Sequence, residues 1–217
     1  AILVTTFTIY MIPGLWGAPL KLLSGFIPPA TTQDFNLHEL KYSLGKTESF
    51  NTIQPNATVQ PPKKLVDKLK VPFGLTAYFD LEEGMAAAKV LNKPVMLDFT
   101  GHSCANCRKM EEEVWSNPEV LKRIKNNFVL ISLYVDEKTD LPIAEHYTDV
   151  DGKKITNVGD KNLDYEKTKF GFRAQPLYKF LDTNGNSLSD VNYGYDANIE
   201  KFIKHLDAVK AKFDAGK

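Results

Sequence analysis

Apolar runs with the composition of buried strands recur between residues 94 and 181. Residues 94–99 (PVMLDF), 128–135 (FVLISLYV) and 177–181 (LYKFL) combine aromatic, β-branched and other apolar side chains, which favours strands. The dipeptide Asn184-Gly185 follows the third run and is typical of a tight hairpin turn, so a further strand is predicted over 187–193. These runs predict a central sheet.

Apolar residues at helical spacing lie between and after the strands. The predicted helices are 77–91, 104–115, a helix from Pro118 capped by Ser116 or Asn117, 164–170 and 197–213. A polar stretch over 137–162 separates the middle elements and contains Asp151-Gly152, a tight-turn signal. This order of elements predicts an α/β fold, a three-layer sandwich with a central mixed sheet and helices on both faces.

The beginning of the chain has a different character from the rest. No charged side chain precedes Lys21, and Trp16 suits a membrane interface. We interpret residues 1–27 as the end of a transmembrane segment with an interfacial stretch; a buried helix or the apolar part of a signal peptide is the alternative. Residues 28–72 are polar and predict a linker. The remainder, 73–217, is the predicted α/β domain.

Composition narrows the classes of function. The 217 residues include 27 Lys and Arg and 27 Asp and Glu, so the formal net charge is zero. The sequence has no basic stripe interleaved with aromatic residues, which argues against a nucleic-acid partner. The 2 cysteines are too few for a disulfide scaffold, so their position rather than their number carries the information.

The cysteines, Cys104 and Cys107, lie where the first strand breaks at Gly101 and a helix begins. A Cys-x-x-Cys pair in that position is the thioredoxin-type redox arrangement. The helix end favours a thiolate on Cys104, and Cys107 is close enough to resolve a mixed disulfide. An inert pair or half of a zinc site is the alternative, but zinc needs two further ligands and the 4 histidines are scattered. His102 is either an exposed loop residue or one that tunes the thiol.

Acidic residues and a proline accompany the pair. Asp98, if buried near the strand end, would have a raised pKa and accept a proton from Cys107; a strand-end Asp bonded to backbone is the alternative. Glu111 follows Cys107 by one turn and would disfavour the thiolates, unless it is an ordinary solvated helix residue. Pro176, preceded by Gln175, comes directly before a strand. A cis proline there would expose backbone to a partner strand, whereas a trans proline would be structural.

These motifs resemble the C-terminal thioredoxin-like domain of the DsbD family of transmembrane thiol:disulfide interchange proteins. The resemblance lies in NKPVMLDFTGHSCANCRKMEEEVWSNPEVL, LISLYVD and FRAQPLYKFLDTNG, while YMIPGLWGAPLKLLSGFIPP resembles the end of that family's membrane domain. Thioredoxins usually carry Trp directly before the first cysteine, whereas this chain has Ser103. The resemblance implies a thioredoxin-like fold in which Asp98 and Glu111 keep the thiol pKa high and Pro176 is the cis proline.

The same resemblance implies an electron path. Electrons would pass from a membrane donor domain, in the same or a larger protein, to the Cys104–Cys107 pair and then to periplasmic disulfide-bearing proteins, including those of cytochrome c biogenesis. The location implied is the bacterial inner membrane, reached through residues 1–27, with the domain in the periplasm. No cofactor beyond the redox-active disulfide and no metal is expected. The predicted function is protein-disulfide reductase; a disulfide oxidase or isomerase and a non-catalytic thioredoxin-fold binding module are the alternatives.

Overall fold

The computed structural model describes residues 1–16, 18, 20, 23, 37 and 59–216. Most of the predicted linker, 28–72, lies outside the described residues. The chain starts with helix α1 (Ile2–Met11) and a 3-10 turn (Ile12–Trp16), and neither contains a buried residue. Among the described residues, no helix is both long and apolar enough to span a bilayer. The interpretation of 1–27 as the end of a transmembrane segment therefore stays a prediction.

A mixed sheet forms the centre of the domain. The strands of this sheet and of a small hairpin are β1 (Ala77–Tyr78), β2 (Val95–Thr100), β3 (Val129–Tyr134), β4 (Tyr147–Thr148), β5 (Lys154–Ile155) and β6 (Leu177–Leu181). The sheet order is β1-β3-β2-β6; β1 and β2 run parallel to β3, and β6 runs antiparallel to β2. The predicted α/β fold with a mixed central sheet is confirmed. β2, which leads to the cysteines, lies in the interior of the sheet.

Helices cover both faces of the sheet. They are α2 (Leu81–Leu91), α3 (Ala105–Met110) with a π-helical turn (Glu111–Trp115), α4 (Pro118–Asn127), α5 (Val158–Phe170) and α6 (Ile199–Ala215). Val95 and Phe99 of β2 belong to the core cluster shared with α2 and α5. Met96 belongs to the cluster shared with α3, α4 and α6. Because strand side chains alternate, Asp98 and Thr100 lie on the same face as Met96, toward the cysteine helix.

The predicted helix over 77–91 starts too early. Residues Ala77–Tyr78 form an edge strand parallel to β3. Helix α2 begins only after Asp80, whose carboxylate caps it by accepting a hydrogen bond from the Glu83 N–H at 3.0 Å. The prediction was wrong at this end because helical spacing does not reveal which residues pair with a sheet edge.

The predicted strand over 187–193 is not formed. The preceding turn is present, with Gly185 at φ 85°, but only two isolated bridges join this segment to β6. The Ser187 hydroxyl donates to the Ser189 carbonyl at 2.8 Å, and the Ser189 hydroxyl accepts from the Val191 N–H at 3.2 Å. These local side-chain bonds compete with a strand ladder, so the prediction was wrong for a physical reason.

The polar stretch 137–162 contains a short hairpin and the start of a helix. The hairpin β4–β5 lies within the polar stretch 137–162, with Gly152 at φ 83° in its turn. Helix α5 starts at Val158 rather than at 164, since Asn157 caps it by accepting from the Asp160 N–H at 2.8 Å.

The cysteine helix is not α-helical throughout. After α3 it changes to the π-helical turn, a feature common at functional sites.

Residues before the predicted domain start also reach the core. Leu69 is buried in the cluster that contains Met110 and Trp115, and Leu65 and Val71 pack against it. Apolar contacts of this kind stabilise the domain through the hydrophobic effect. The packed body therefore extends upstream of residue 73.

Candidate redox site

The two sulfur atoms lie at the junction of β2 and α3. Cys104 and Cys107 form a disulfide with an S–S distance of 1.94 Å. Cys104 is partly exposed, whereas Cys107 is 1% exposed. Cys104 is also the N-cap of α3, and its sulfur accepts a hydrogen bond from the Cys107 N–H at 3.1 Å. In the reduced state this bond and the helix end favour a thiolate on Cys104, so the accessible sulfur is the one suited to attack.

Asp136, just after β3, holds the loop that precedes Cys104. Its carboxylate accepts hydrogen bonds from the backbone N–H groups of His102 at 2.8 Å and Ser103 at 3.1 Å. A Cβ added at Gly101 would come within 3.0 Å of that carboxylate. The glycine therefore allows the close approach that lets Asp136 satisfy the backbone donors of the loop.

The proline predicted to accompany the cysteines lies beside this loop. The Gln175–Pro176 peptide bond is cis, as predicted. Strand β6 starts at the next residue, and its Leu177 pairs with Phe99 near the end of β2. The antiparallel register therefore places Pro176 next to the exit of β2, where the chain turns toward Cys104. Sequence separation between the proline and the cysteines is large, and the sheet brings them together.

Asp98 is buried under the cysteine helix, 2% exposed. Its Oδ2 accepts a hydrogen bond from the Ser132 hydroxyl at 2.8 Å. Burial raises the pKa of Asp98 to about 6, while the Ser132 bond and the charge of Arg108 act in the opposite direction. Asp98 is therefore buried and its pKa is raised, as expected. The alternative was a strand-end Asp bonded to backbone, and among the described contacts the Asp98 carboxylate has no hydrogen bond to a backbone group.

Glu111 is buried too, but it is paired. The Arg108 guanidinium, itself 5% exposed, lies 2.9 Å from Glu111 Oε1 and donates to the Thr100 hydroxyl at 3.1 Å. The alternative of a solvated helix Glu is thus wrong. The nearby cation also offsets part of the negative field that Glu111 was expected to impose on the sulfurs.

A family profile described as the thioredoxin-like domain matches residues 81–210. That span is more than half of the chain and includes Cys104, Cys107 and Pro176. The chain belongs to the thioredoxin-like domain family. Its fold and its disulfide are those of a thiol-disulfide oxidoreductase, and neither determines the direction of electron flow.

This thioredoxin-like domain is similar to several known proteins at low identity. One is the UBX domain-containing protein 5 of Saccharomyces cerevisiae, 23% identical over 90 residues, which are 42% of this chain and 18% of that protein. The chain therefore spans less than a fifth of that curated relative. Similar solved structures are the DsbH oxidoreductase (TM-score 0.46, 18% identity, 77% of this chain and 97% of that chain), a thioredoxin from Thermus thermophilus (0.46, 21%, 65% and 92%) and a disulfide isomerase from Xylella fastidiosa Temecula1 (0.35, 15%, 62% and 86%).

His102 of the thioredoxin-like domain is exposed in the loop before Cys104, as the first alternative predicted, but its ring makes two contacts. Its Nε2 lies 2.9 Å from Glu137 Oε2, and its ring lies 4.8 Å from that of Tyr134. Burial acts to raise the pKa of Glu137, but hydrogen bonds from Thr139 and His102 outweigh it and lower the pKa to about 2. Glu137, whose carboxylate stays ionised, therefore holds the ring of this exposed residue on the residues that follow β3.

Sequence reasoning missed several members of the site. Arg108 stands three residues before Glu111, a spacing that allows a helical ion pair, but nothing in the pattern predicts its burial. Ser132, Asp136 and Glu137 come from β3 or the residues after it, and no sequence signal connects them to the cysteines. Within the described residues, no three His, Cys, Asp or Glu side chains cluster as metal ligands would.

Replacing Asp98 with Asn tests both its role in proton transfer and the free-energy cost of burying its charge. The pKa of Asp98 rises on folding from 3.8 to about 6, so the native state binds more protons than the unfolded state between these values. Stability is therefore lost as the pH rises through this window, by about 3 kcal/mol. We expect Asp98→Asn to be more stable at pH 7.5 in urea unfolding. We also expect about 100-fold slower resolution of a mixed disulfide, because Cys107 loses its proton acceptor.

The matched control is Asp67→Asn, which removes an exposed carboxylate of the same length. That variant should leave both the free energy of unfolding and the resolution rate unchanged. An Asp98→Asn protein that resolves mixed disulfides at the parent rate would remove Asp98 from the proton path.

Proposed function

We propose that this chain is the thioredoxin-like module of a membrane-tethered thiol:disulfide interchange protein of the DsbD type, acting as a protein-disulfide reductase. The observation that carries the proposal is the asymmetry of the cysteines: Cys104 is partly exposed, Cys107 is buried, and the loop that leads to them leaves β2 next to a cis proline. A non-catalytic binding module has no need of a bonded cysteine pair with one accessible sulfur.

The reaction proceeds in two exchange steps. In the reduced domain the Cys104 thiolate attacks one sulfur of a protein disulfide, forms a mixed disulfide and releases the partner's other sulfur as a thiolate, which takes up a proton. Asp98 accepts the proton of Cys107, and the Cys107 thiolate then attacks Cys104. The second partner thiol is released, and two electrons have passed to the partner. The domain is left as the Cys104–Cys107 disulfide, which a donor dithiol must reduce again.

The buried charges adjust the proton affinity of the pair. Asp98 and Glu111 are negative groups close to the cysteine helix and raise the pKa of nearby thiols. The positive charge of Arg108 interacts with both carboxylates. We infer that the acids keep Cys107 protonated until the mixed disulfide forms, while Arg108 prevents an excess of negative charge from blocking the Cys104 thiolate.

A membrane tether through residues 1–27 is part of the proposal. Helix α1 has no charged and no buried residue, which suits an apolar environment. The hydroxyls of Thr5, Thr6 and Thr8 donate to the carbonyls four residues earlier, at 3.0, 3.0 and 2.9 Å. Lipid requires that polar groups be satisfied within the segment in this way. The domain would then face the periplasm of a bacterial inner membrane, where a membrane donor domain reduces it and disulfide-bearing proteins oxidise it.

The reduction potential tests the direction of the reaction. Equilibration of the full chain with glutathione or dithiothreitol buffers, followed by alkylation of free thiols and mass spectrometry, yields the potential of the pair. We expect a value near that of thioredoxin, about −270 mV. The control is the Cys107→Ser variant, which lacks an intramolecular disulfide and should show no such two-electron transition.

The two alternatives give other results. A potential above about −180 mV would indicate a disulfide oxidase or isomerase, because such enzymes have oxidising dithiols. A pair with a thioredoxin-like potential that nevertheless fails to reduce insulin would favour the binding module.

A further inference from the structure

A buried carboxylate supports the backbone just before the cis proline. Glu166 on α5 is 0% exposed, and each of its oxygens accepts one hydrogen bond from that loop. Oε1 accepts from the Ala174 N–H at 2.9 Å, and Oε2 accepts from the Gln175 side-chain amide at 2.9 Å. Both partners are donors, so a fully ionised carboxylate satisfies them both.

The ionised form of Glu166 is stabilised mainly by these two hydrogen bonds. Arg173 of the same loop is the charged group that acts on it. Lys179 of β6, whose ammonium lies 5.2 Å from the centre of the Phe170 ring on α5, is bonded instead to the 191–192 segment. Burial raises the pKa of Glu166 to about 7, against the opposing effects of the Ala174 and Gln175 bonds and Arg173. A change of charge at this site therefore falls near neutral pH.

We propose that Glu166 is a positioning residue for protein substrates: its carboxylate holds residues 174–176 in the shape with which the backbone of an extended substrate segment pairs. This inference rests on the proposed function, because it assigns Glu166 to substrate docking and not to the exchange of sulfur bonds. Small disulfides have no backbone to pair with the loop, so they do not depend on it.

Protonation of Glu166 weakens the support of the loop. Protonation removes the charge that strengthens both hydrogen bonds, and a hydrogen on Oε1 would face the Ala174 N–H, which can only donate, so the bonds to the loop weaken. A loosened loop must be ordered again when substrate binds, which lowers affinity. Protein substrates should therefore react relatively more slowly as the pH falls through 7, beyond any change shared with small disulfides.

The experiment compares two substrates in single turnovers of the pre-reduced full chain. The second-order rate constants are measured with insulin and with the small disulfide 5,5′-dithiobis(2-nitrobenzoate). Both reactions start with the same attack by Cys104, so the ionisation of that thiol cancels in their ratio. We expect Glu166→Gln to lower the insulin-to-small-disulfide ratio about 10-fold at pH 8, because a neutral amide holds the loop less strongly than a carboxylate does, and to abolish its pH dependence.

The control is Asp164→Asn, two residues earlier on the same helix. The Asp164 carboxylate accepts from the Tyr147 hydroxyl at 2.6 Å and, among the described contacts, makes no hydrogen bond with the proline loop, residues 174–176. Its ratio should equal the parent's. A parent protein that reduces neither substrate overturns the proposed function. A parent that reduces both, with an unchanged ratio in Glu166→Gln, overturns the role of Glu166 alone.

A second measurement decides the point even if Glu166→Gln does not fold. In the parent, the amide nitrogen shift of Ala174 should titrate with a midpoint near neutral pH, because its N–H donates to Glu166. If the Ala174 shift titrates while the insulin-to-small-disulfide ratio of the parent stays constant between pH 5.5 and 8.5, the inference is overturned, since the charge of Glu166 would then have no effect on docking.

Discussion

We expect Cys104→Ser to abolish disulfide reduction, lowering insulin turnover at least about 10³-fold, as is usual when the nucleophile of a covalent mechanism is removed. Cys104 is partly exposed and caps α3, whereas the remaining Cys107 is 1% exposed and cannot reach a protein partner directly. The measurement is insulin reduction with dithiothreitol as the regenerating reductant. A Cys104→Ser protein that turns over like the parent would mean that this pair is not catalytic.

The complementary variant Cys107→Ser separates attack from resolution. Its Cys104 still attacks a partner disulfide, but no second sulfur releases the product, so the mixed disulfide accumulates. Mass spectrometry of the reaction with a disulfide-bearing protein should show the sum of the two masses. If Cys107→Ser formed no adduct while the parent turned over, Cys104 would not be the attacking sulfur.

The largest expected loss of stability comes from Arg108→Met. Arg108 is 5% exposed, lies 2.9 Å from Glu111 and also acts on Asp98. Its removal takes away the cation of a buried ion pair, and breaking such a pair from one side costs about 3 kcal/mol or more. Urea unfolding followed by circular dichroism should show this loss as a lower midpoint with an unchanged slope.

The double variant Arg108→Met/Glu111→Leu distinguishes the loss of the buried cation from lost packing. Replacing both partners also removes the carboxylate that Arg108 neutralised, so we expect the double variant to recover most of the lost stability. The surface control is Arg123→Met, whose partners Glu119 and Asp207 are exposed, and which should leave the unfolding midpoint nearly unchanged. If the double variant were no more stable than Arg108→Met, the buried charge would not be the cause.

The residues changed in these variants differ in how far the sequence predicted their roles. Cys104 and Cys107 were predicted because a strand, a break and a Cys-x-x-Cys pair form a local signature. Asp98 was predicted because it lies near the end of the strand that leads to the cysteines. Pro176 was predicted from its place in the order of elements, directly before a strand. Arg108 was missed, since a charged residue on a helix is ordinarily solvated.

The errors in the fold have a similar origin. The start of α2 was placed too early because Ala77–Tyr78 pair with β3, which lies far along the chain. The strand over 187–193 was predicted from its turn, but the hydroxyls of Ser187 and Ser189 bond locally and replace the ladder. In both cases competing contacts, and not the periodicity of apolar residues, decided the outcome.

The sequence by itself determined the redox pair, the α/β order of elements and the proline before the last strand, because each depends on neighbours along the chain. Only the tertiary structure decided which charges surround the sulfurs. Arg108 became a buried counter-ion, Asp136 came to hold the cysteine loop and Glu166 came to support the proline loop, each through contacts made by packing. The physical reason is that burial and partner choice set the energy of a charge, and both are properties of residues distant in sequence that the fold brings together.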